Sequence, residues 1–245
     1  MSTLPVSSLN LSENLETNRI GPRLLKYLNA LLDENGYVYV HGAPERYDYL
    51  ELLGRLGEFV PQYDGSLVWD LKPEPGMDDV YHSKNTRPLV PHTEAYEFAG
   101  DPPRFLALWG VKQAEGQGGE TTLADGYRFL SGLSDAQLEE LRTRSYNWHS
   151  SEGLSMKGIH VNSTHPSLET RNGQTILRYS YNNVTTTGDG VLENYLEEGK
   201  KYFDAEHFAV SIETNCLLVW DNWRMIHSRN AFTDRSRHLK RVLIR

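Results

Sequence analysis

The order in which apolar periodicities appear constrains this chain more than any other feature. Helical spacing comes early. Leu24, Leu28, Leu31 and Leu32 share one helical face, and Gly36 stands where a helix would stop, which predicts a helix over residues 21–34. A second helix is predicted around residues 45–56. Thereafter most apolar runs have strand length. Tyr37-Val38-Tyr39-Val40 reads as a strand closed by His41-Gly42. Residues 104–112, 145–149, 174–181, 216–223 and 239–244 read as further strands. Ser134-Asp135-Ala136-Gln137 has capping-box spacing and opens a helix to about residue 143; residues 191–203 form another. Residues 65–101 carry Pro73, Pro75, Pro88 and Pro91 and read as loops with short strands. Helices ahead of many short strands imply α+β, mainly β, or a β-sandwich or barrel with helices outside. They argue against alternating βαβ winding, and neither GxGxxG nor GxxxxGK[ST] occurs.

The 245 residues suit a single domain spanning 1–245, with the polar residues 1–16 as a loose lead-in. The net charge of −8 disfavours nucleic acid and anionic membranes as partners. No apolar run reaches the ~20 residues of a membrane span, and residues 1–10 lack the pattern of a signal peptide. The expected location is the cytoplasm. The lone cysteine, Cys216, sits in an apolar run and reads as a core residue. No stretch marks an oligomer interface.

Candidate chemistry centres on Val90-Pro91-His92-Thr93-Glu94. In extended backbone, residues two apart face the same way, so His92 and Glu94 can offer an imidazole and a carboxylate to one metal. His227, just past the apolar run ending in Trp220-Asp221-Asn222-Trp223, is the best third ligand. Two histidines and a carboxylate with open positions suit non-haem Fe(II) oxygenases. On its own His-x-Glu is a common tripeptide, and the competing reading is a loop histidine beside a solvated glutamate. His82, His149, His160 and His165 read as surface or structural residues.

Four stretches in order resemble the Fe(II)/2-oxoglutarate-dependent dioxygenases of the taurine dioxygenase and clavaminate synthase-like family. They are Pro91-His92-Thr93-Glu94, Gly118-Gly119-Glu120-Thr121-Thr122-Leu123-Ala124-Asp125, Asp221-Asn222-Trp223-Arg224-Met225-Ile226-His227-Ser228-Arg229, and Arg237-His238-Leu239-Lys240-Arg241. The resemblance implies a double-stranded β-helix (a distorted jelly roll) with flanking helices. It implies Fe(II) held by His92, Glu94 and His227, with 2-oxoglutarate and O2 as co-substrates. It places Arg237 and Thr121, with Thr122 as fallback, on the distal carboxylate of 2-oxoglutarate. A guanidinium suits that task because it pairs with a carboxylate in one plane. Arg241 is implied to face an acidic group of the substrate. The step from His227 to Arg237 is short for that family, so exchanged roles for the two arginines are the alternative. Without the metal motif, 235–241 would read as a solvated basic run.

Glu94 disfavours halogenation, in which a small residue replaces the metal carboxylate. Hydroxylation, desaturation and cyclisation remain open. The expected substrate is a small polar, amino-acid-like metabolite bearing a carboxylate, in specialised biosynthesis; a carrier-bound acyl or aminoacyl group is the near alternative. By resemblance, Arg178 and Asn182 border the pocket; Asn85, Thr86 and Arg87, just before the metal pair, are expected to belong to a lid loop. Ordinary strand pairing is the competing reading for residues 177–183. A metal-dependent hydrolase or isomerase without 2-oxoglutarate, and a silent jelly-roll binding module, stay open as other classes.

Overall fold

The computed structural model describes residues 5–12, 20–44, 46–78, 80 and 83–245. Helix α1 (Pro22–Asn35) opens on proline, whose missing N–H has no partner in a first turn anyway, and buries Leu24, Leu28 and Leu32. Each buried leucine contributes about 1.5–3 kcal/mol before entropy is counted. At Gly36 a φ of 76° returns the N–H to the Leu32 carbonyl. A Cβ there would lie 2.5 Å from the Met225 sulfur, so space as well as dihedral demands glycine. Strand β1 (Ser8–Asn10) lies parallel beside β2 (Tyr37–His41), with Ser7 Oγ donating to the Tyr37 carbonyl. Leu9 and Leu11 are buried. The loose lead-in is therefore corrected for residues 5–12, where alternate leucines join the core. Residues 1–4 and 13–16 lie outside the described residues, as does His82.

Helix α2 (Tyr49–Gly54) is shorter than expected, because a turn at Pro44 and the Asp48 cap delay its start; residue 45 is outside the described residues. Next come β3 (Phe59–Val60), β4 (Val68–Leu71), β5 (Phe105–Lys112) and β6 (Thr121–Asp125), then α3 (Gly126–Leu130) and α4 (Asp135–Thr143). Helix α4 has its capping box, as the spacing predicts. β7 (Tyr146–His149) pairs with β8 (Asn162–His165) around the short α5 (Glu152–Met156), and β9 (Leu168–Arg171) pairs with β10 (Gln174–Leu177). Helix α6 (Gly190–Glu206) leads into β11 (Phe208–Val210), β12 (Leu217–Asp221), β13 (Met225–Arg229) and β14 (His238–Ile244).

The large sheet runs β1-β2-β12-β5-β14-β3, with β4 also on β14, and the small sheet runs β11-β6-β13. Together they make the expected double-stranded β-helix with helices packed outside. Alternation sorts the side chains. Phe105, Ala107, Trp109, Leu217 and Val219 turn toward α1 and α2. Leu106, Leu108, Leu218, Trp220, Leu239 and Leu243 turn inward, where Leu123 and Met225 of the small sheet meet them. Ala124 and Ile226 face a third cluster under α6. Strands clad on both faces explain apolar runs without a polar beat.

Two expected strands are redrawn. The run 216–223 ends at Asp221, because Asp221 Oδ1 accepts from Trp223 N and the Asp221 carbonyl accepts from Arg224 N, closing a turn into β13. The run 174–181 leaves its hairpin after Leu177, where Arg178 N donates to the Ser167 carbonyl.

Candidate active site

Alternation places His227 on the inner face of β13 with Met225, and Thr121 on that of β6 with Leu123. In β14, Leu239 and Leu243 point inward, and so does Arg241 between them. The extended segment around His92 docks against β13. His92 and His227 exchange both backbone hydrogen bonds, at 2.9 and 2.8 Å. On the other side Thr93 N donates to the Tyr179 carbonyl, and Thr93 Oγ1 accepts from Tyr179 N. Thr93 thus faces away while His92 and Glu94 face the interior.

The candidate ligand atoms of His92, Glu94 and His227 all lie within 4.8 Å of one another. His92 Nδ1 donates to the Val90 carbonyl at 2.8 Å, which leaves Nε2 with a free lone pair. His227 Nε2 is 3.9 Å from Glu94 Oε2, and its ring packs against Trp220. Burial lowers the pKa of His92 and pushes that of His227 well below the usual imidazole value. Both rings are neutral at physiological pH, the form that ligates a metal. Two neutral imidazoles and one carboxylate on a buried wall fit Fe(II).

Asn222 holds Glu94 in place. Glu94 N donates to Asn222 Oδ1 at 2.6 Å, while Asn222 Nδ2 donates to the carbonyls of Glu94 and Pro103. The next residue, Ala95, has a φ of 57°, a left-handed conformation that non-glycine residues adopt at some cost. Arg241 Nη1 donates to Glu94 Oε1 at 2.8 Å. Its Nε and Nη2 reach Gln62 Oε1, and the guanidinium stacks over Trp69.

Two adjoining cavities share His92, Glu94 and Arg241. One adds Thr121, His227, Arg237 and the apolar Leu106, Leu108 and Trp220. Arg237 is buried, donates to the Gly119 carbonyl at 2.9 Å and packs on Phe232. A Cβ on Gly119 would come 3.1 Å from Arg237 Nε, so the glycine makes room for this side chain. Among the described residues, no carboxylate lies within ion-pair distance of Arg237. Burial lowers its pKa to about 10, which still leaves it protonated at neutral pH. The second cavity adds Tyr63, Trp69, Tyr96, Glu97, Ser151 and Leu154.

Arg178 and Asn182 are not brought to these walls. Arg178 is fully buried in the scaffold, donating to Glu169 Oε2 and to the carbonyls of Tyr96 and Gly100. Asn182 is exposed and accepts from Asn183 Nδ2. The reason is local: after Leu177 the backbone leaves its hairpin, and strict alternation no longer governs where these side chains point. Asn85, Thr86 and Arg87 lie in a loop tied to β13 by Arg229, which donates to the Ser83 and Arg87 carbonyls and to Asn85 Oδ1, while the Thr86 carbonyl accepts from Phe232 N. Arg229 had one available signal, its place two residues after His227. Gln62, Tyr63 and Glu97 had none.

The fold and this buried His-Glu-His set define a non-haem iron oxygenase. The chain belongs to the family described as taurine catabolism dioxygenase TauD, TfdA family, whose model matches residues 9–243. It is an Fe(II)- and 2-oxoglutarate-dependent dioxygenase, an oxidoreductase that uses O2, and this removes the hydrolase and silent-module readings. Among solved structures, an asparagine oxygenase in complex with Fe(II), 3-hydroxyasparagine and succinate is similar, with 20% identity and a TM-score of 0.75 over 91% of this chain and 79% of that one. The non-heme iron oxygenase OrfP in complex with Fe and alpha-ketoglutaric acid is 18% identical, with a TM-score of 0.72 over 91% and 80%. OrfP with Fe, succinate and (3S)-hydroxy-L-Arg is 19% identical, with a TM-score of 0.72 over 98% and 94%. No curated protein sequence matches the chain. No helix among the described residues is long and apolar enough to cross a membrane.

Proposed function

We propose that this dioxygenase hydroxylates, desaturates or cyclises a small polar, amino-acid-like metabolite that carries a carboxylate, and releases succinate and CO2. Iron and 2-oxoglutarate, when bound, supply the oxidant for an unactivated C–H bond. The protein supplies position, dryness and charge. His92, Glu94 and His227 hold the iron. Arg237 and Thr121 take the distal carboxylate of 2-oxoglutarate, and Leu106, Leu108 and Trp220 keep water from that pair. Arg241 keeps N–H groups beyond those used by Glu94 and Gln62, and these receive the substrate carboxylate.

The observation that carries this reading is Arg237, a buried cation with no carboxylate at ion-pair distance among the described residues, in a cavity it shares with Thr121 and the three proposed metal ligands. A dicarboxylate chelating iron supplies the missing charge. The same observation favours Arg237 over Arg241 for 2-oxoglutarate, since Arg241 already faces Glu94. The structural neighbours that hold hydroxyasparagine and hydroxy-L-Arg support an amino-acid-like substrate.

The test is anaerobic. Fe(II) and then 2-oxoglutarate are added to metal-free protein, and the visible spectrum is recorded. A weak charge-transfer band requiring both additions, followed by amino-acid-stimulated succinate release in air, is the expected result. A band without stimulation by any amino-acid-like compound would overturn the substrate assignment; no band at all would overturn the assigned 2-oxoglutarate contacts.

A further inference from the structure

Glu97 lies three residues beyond the metal ligand Glu94 and is 1% exposed. It lines the cavity that also holds Tyr63, Trp69, His92, Glu94 and Arg241. One carboxylate oxygen is satisfied: Tyr63 Oη donates to Glu97 Oε1 at 2.6 Å. The other, Oε2, is buried with no hydrogen-bond partner among the described residues. The two nearby guanidiniums are engaged elsewhere. Arg241 is held by Glu94 and Gln62, and Arg178 by Glu169 and the carbonyls of Tyr96, Phe98 and Gly100.

Leaving a carboxylate buried without a cation is costly, and folding gains nothing from it. Burial pushes Glu97 up to about 7. A carboxyl serving only the scaffold would have both oxygens bonded. Here the bare oxygen belongs to a residue of the cavity wall, on the side away from Arg237 and Thr121.

We infer that Glu97 is a specificity residue whose Oε2 receives a cationic nitrogen of the substrate, an ammonium or a guanidinium. This rests on the substrate reading above and deepens it. With Arg241 on the carboxylate, the cavity is matched to a zwitterion, and a carboxylate lacking a cationic nitrogen leaves Glu97 unanswered. Tyr63 is the positioning residue, since its hydroxyl fixes the carboxyl through Oε1 and leaves Oε2 unbonded.

The test uses the Fe(II)- and 2-oxoglutarate-loaded enzyme. The probes are the proteinogenic L-amino acids, each uncharged-side-chain member paired with the deamino acid of the same carbon skeleton. Calorimetric titration under argon gives Kd; succinate release in air gives KM and kcat. Glu97→Gln keeps the shape and the oxygen that Tyr63 bonds, and its melting curve reports folding. The expected result is binding of at least one amino acid with its deamino partner at least about 10-fold weaker, and a rise of about 10–100-fold in Kd and KM for the amino acid in E97Q with a smaller change in kcat. The preference over the deamino partner should shrink in that variant. If amino acids bind but E97Q leaves their Kd unchanged, Glu97 has no such role while the substrate reading stands. If deamino acids bind as well as amino acids, the cationic nitrogen is wrong and a carboxylate substrate survives. If no probe binds, both readings fall together. Should E97Q melt early, Tyr63→Phe gives a second reading: an unchanged amino-acid preference there would overturn the positioning by Tyr63.

Discussion

Arg241 Nη1 lies 2.8 Å from Glu94 Oε1, with both side chains buried, so the proposed metal carboxylate already has a cation beside it. This arrangement offsets a charge problem that arises before iron arrives. A lone buried carboxylate is strongly disfavoured, and removing one partner of a buried pair typically costs about 3–5 kcal/mol. The guanidinium stabilises the metal-free site; iron held by the proposed ligand set would add further positive charge next to the same group.

Arg241→Met should therefore destabilise metal-free protein by about 3–5 kcal/mol and the Fe(II)-loaded protein by clearly less, because the metal substitutes for the missing cation. Denaturant midpoints measured anaerobically with and without Fe(II) check this. Equal losses in both states would mean that Arg241 acts through packing on Trp69 and its bonds to Gln62.

Arg237→Ala should weaken 2-oxoglutarate binding by about 30–1000-fold, on the scale of losing paired charge-assisted hydrogen bonds. Arg237→Lys should recover only part, since an ammonium cannot pair in one plane. Thr121→Ala should cost roughly 10-fold, a single hydrogen bond to a charged group. The charge-transfer band gives Kd in each case. If Arg241→Ala abolishes the band while Arg237→Ala spares it, the two arginine roles must be exchanged.

Asn222→Ala should lower Fe(II) affinity by about 10–100-fold, the usual penalty for releasing a ligand's support. Asn222 touches no candidate ligand atom; it grips the backbone of Glu94 and Pro103. Competition against a chelator of known affinity reads the change. An unaltered affinity would show that the exchange of backbone hydrogen bonds between His92 and His227 suffices to align the set.

Glu97 ties stability to pH. Its folded value of about 7 stands above the ordinary 4.5, so the folded protein holds the proton more tightly than the unfolded chain does. The stabilisation from that proton is complete below pH 4.5 and is lost as pH rises through 7. Glutamine has no proton to lose. Glu97→Gln should be the more stable form above pH 7, by about 2–4 kcal/mol, with the gap closing toward pH 4.5. Urea titrations across that range measure it; a constant gap would show that Glu97 does not titrate there.

The parts of the site carried by local rules were legible in the sequence. His92 and Glu94 share a face by alternation alone, and Arg237, Thr121 and His227 sit in stretches whose spacing resembles a known family. Arg178 was not legible, because its fate depends on carbonyls that come from a distant loop, at Tyr96 and Gly100. Gln62 and Glu97 belong to loops without periodicity, and only tertiary packing brings them to the cavity. Within the fold, α1 and α4 followed from periodicity and caps. The strand Met225–Arg229 was hidden by its histidine and arginine, polar residues that face inward for chemistry. The strand Ser8–Asn10 was hidden by polar neighbours, its leucines being too few to signal a face.

The backbone exchange between His92 and His227 bears on how the protein is made. These two partners are separated by more than half the chain, and Asn222, which grips the backbone of Glu94, stands on the late side of that gap. A nascent chain still on the ribosome, before that late stretch has emerged, presents only two of the three proposed ligands, His92 and Glu94. On the proposed ligand set, three-point binding of iron then waits until synthesis has passed His227.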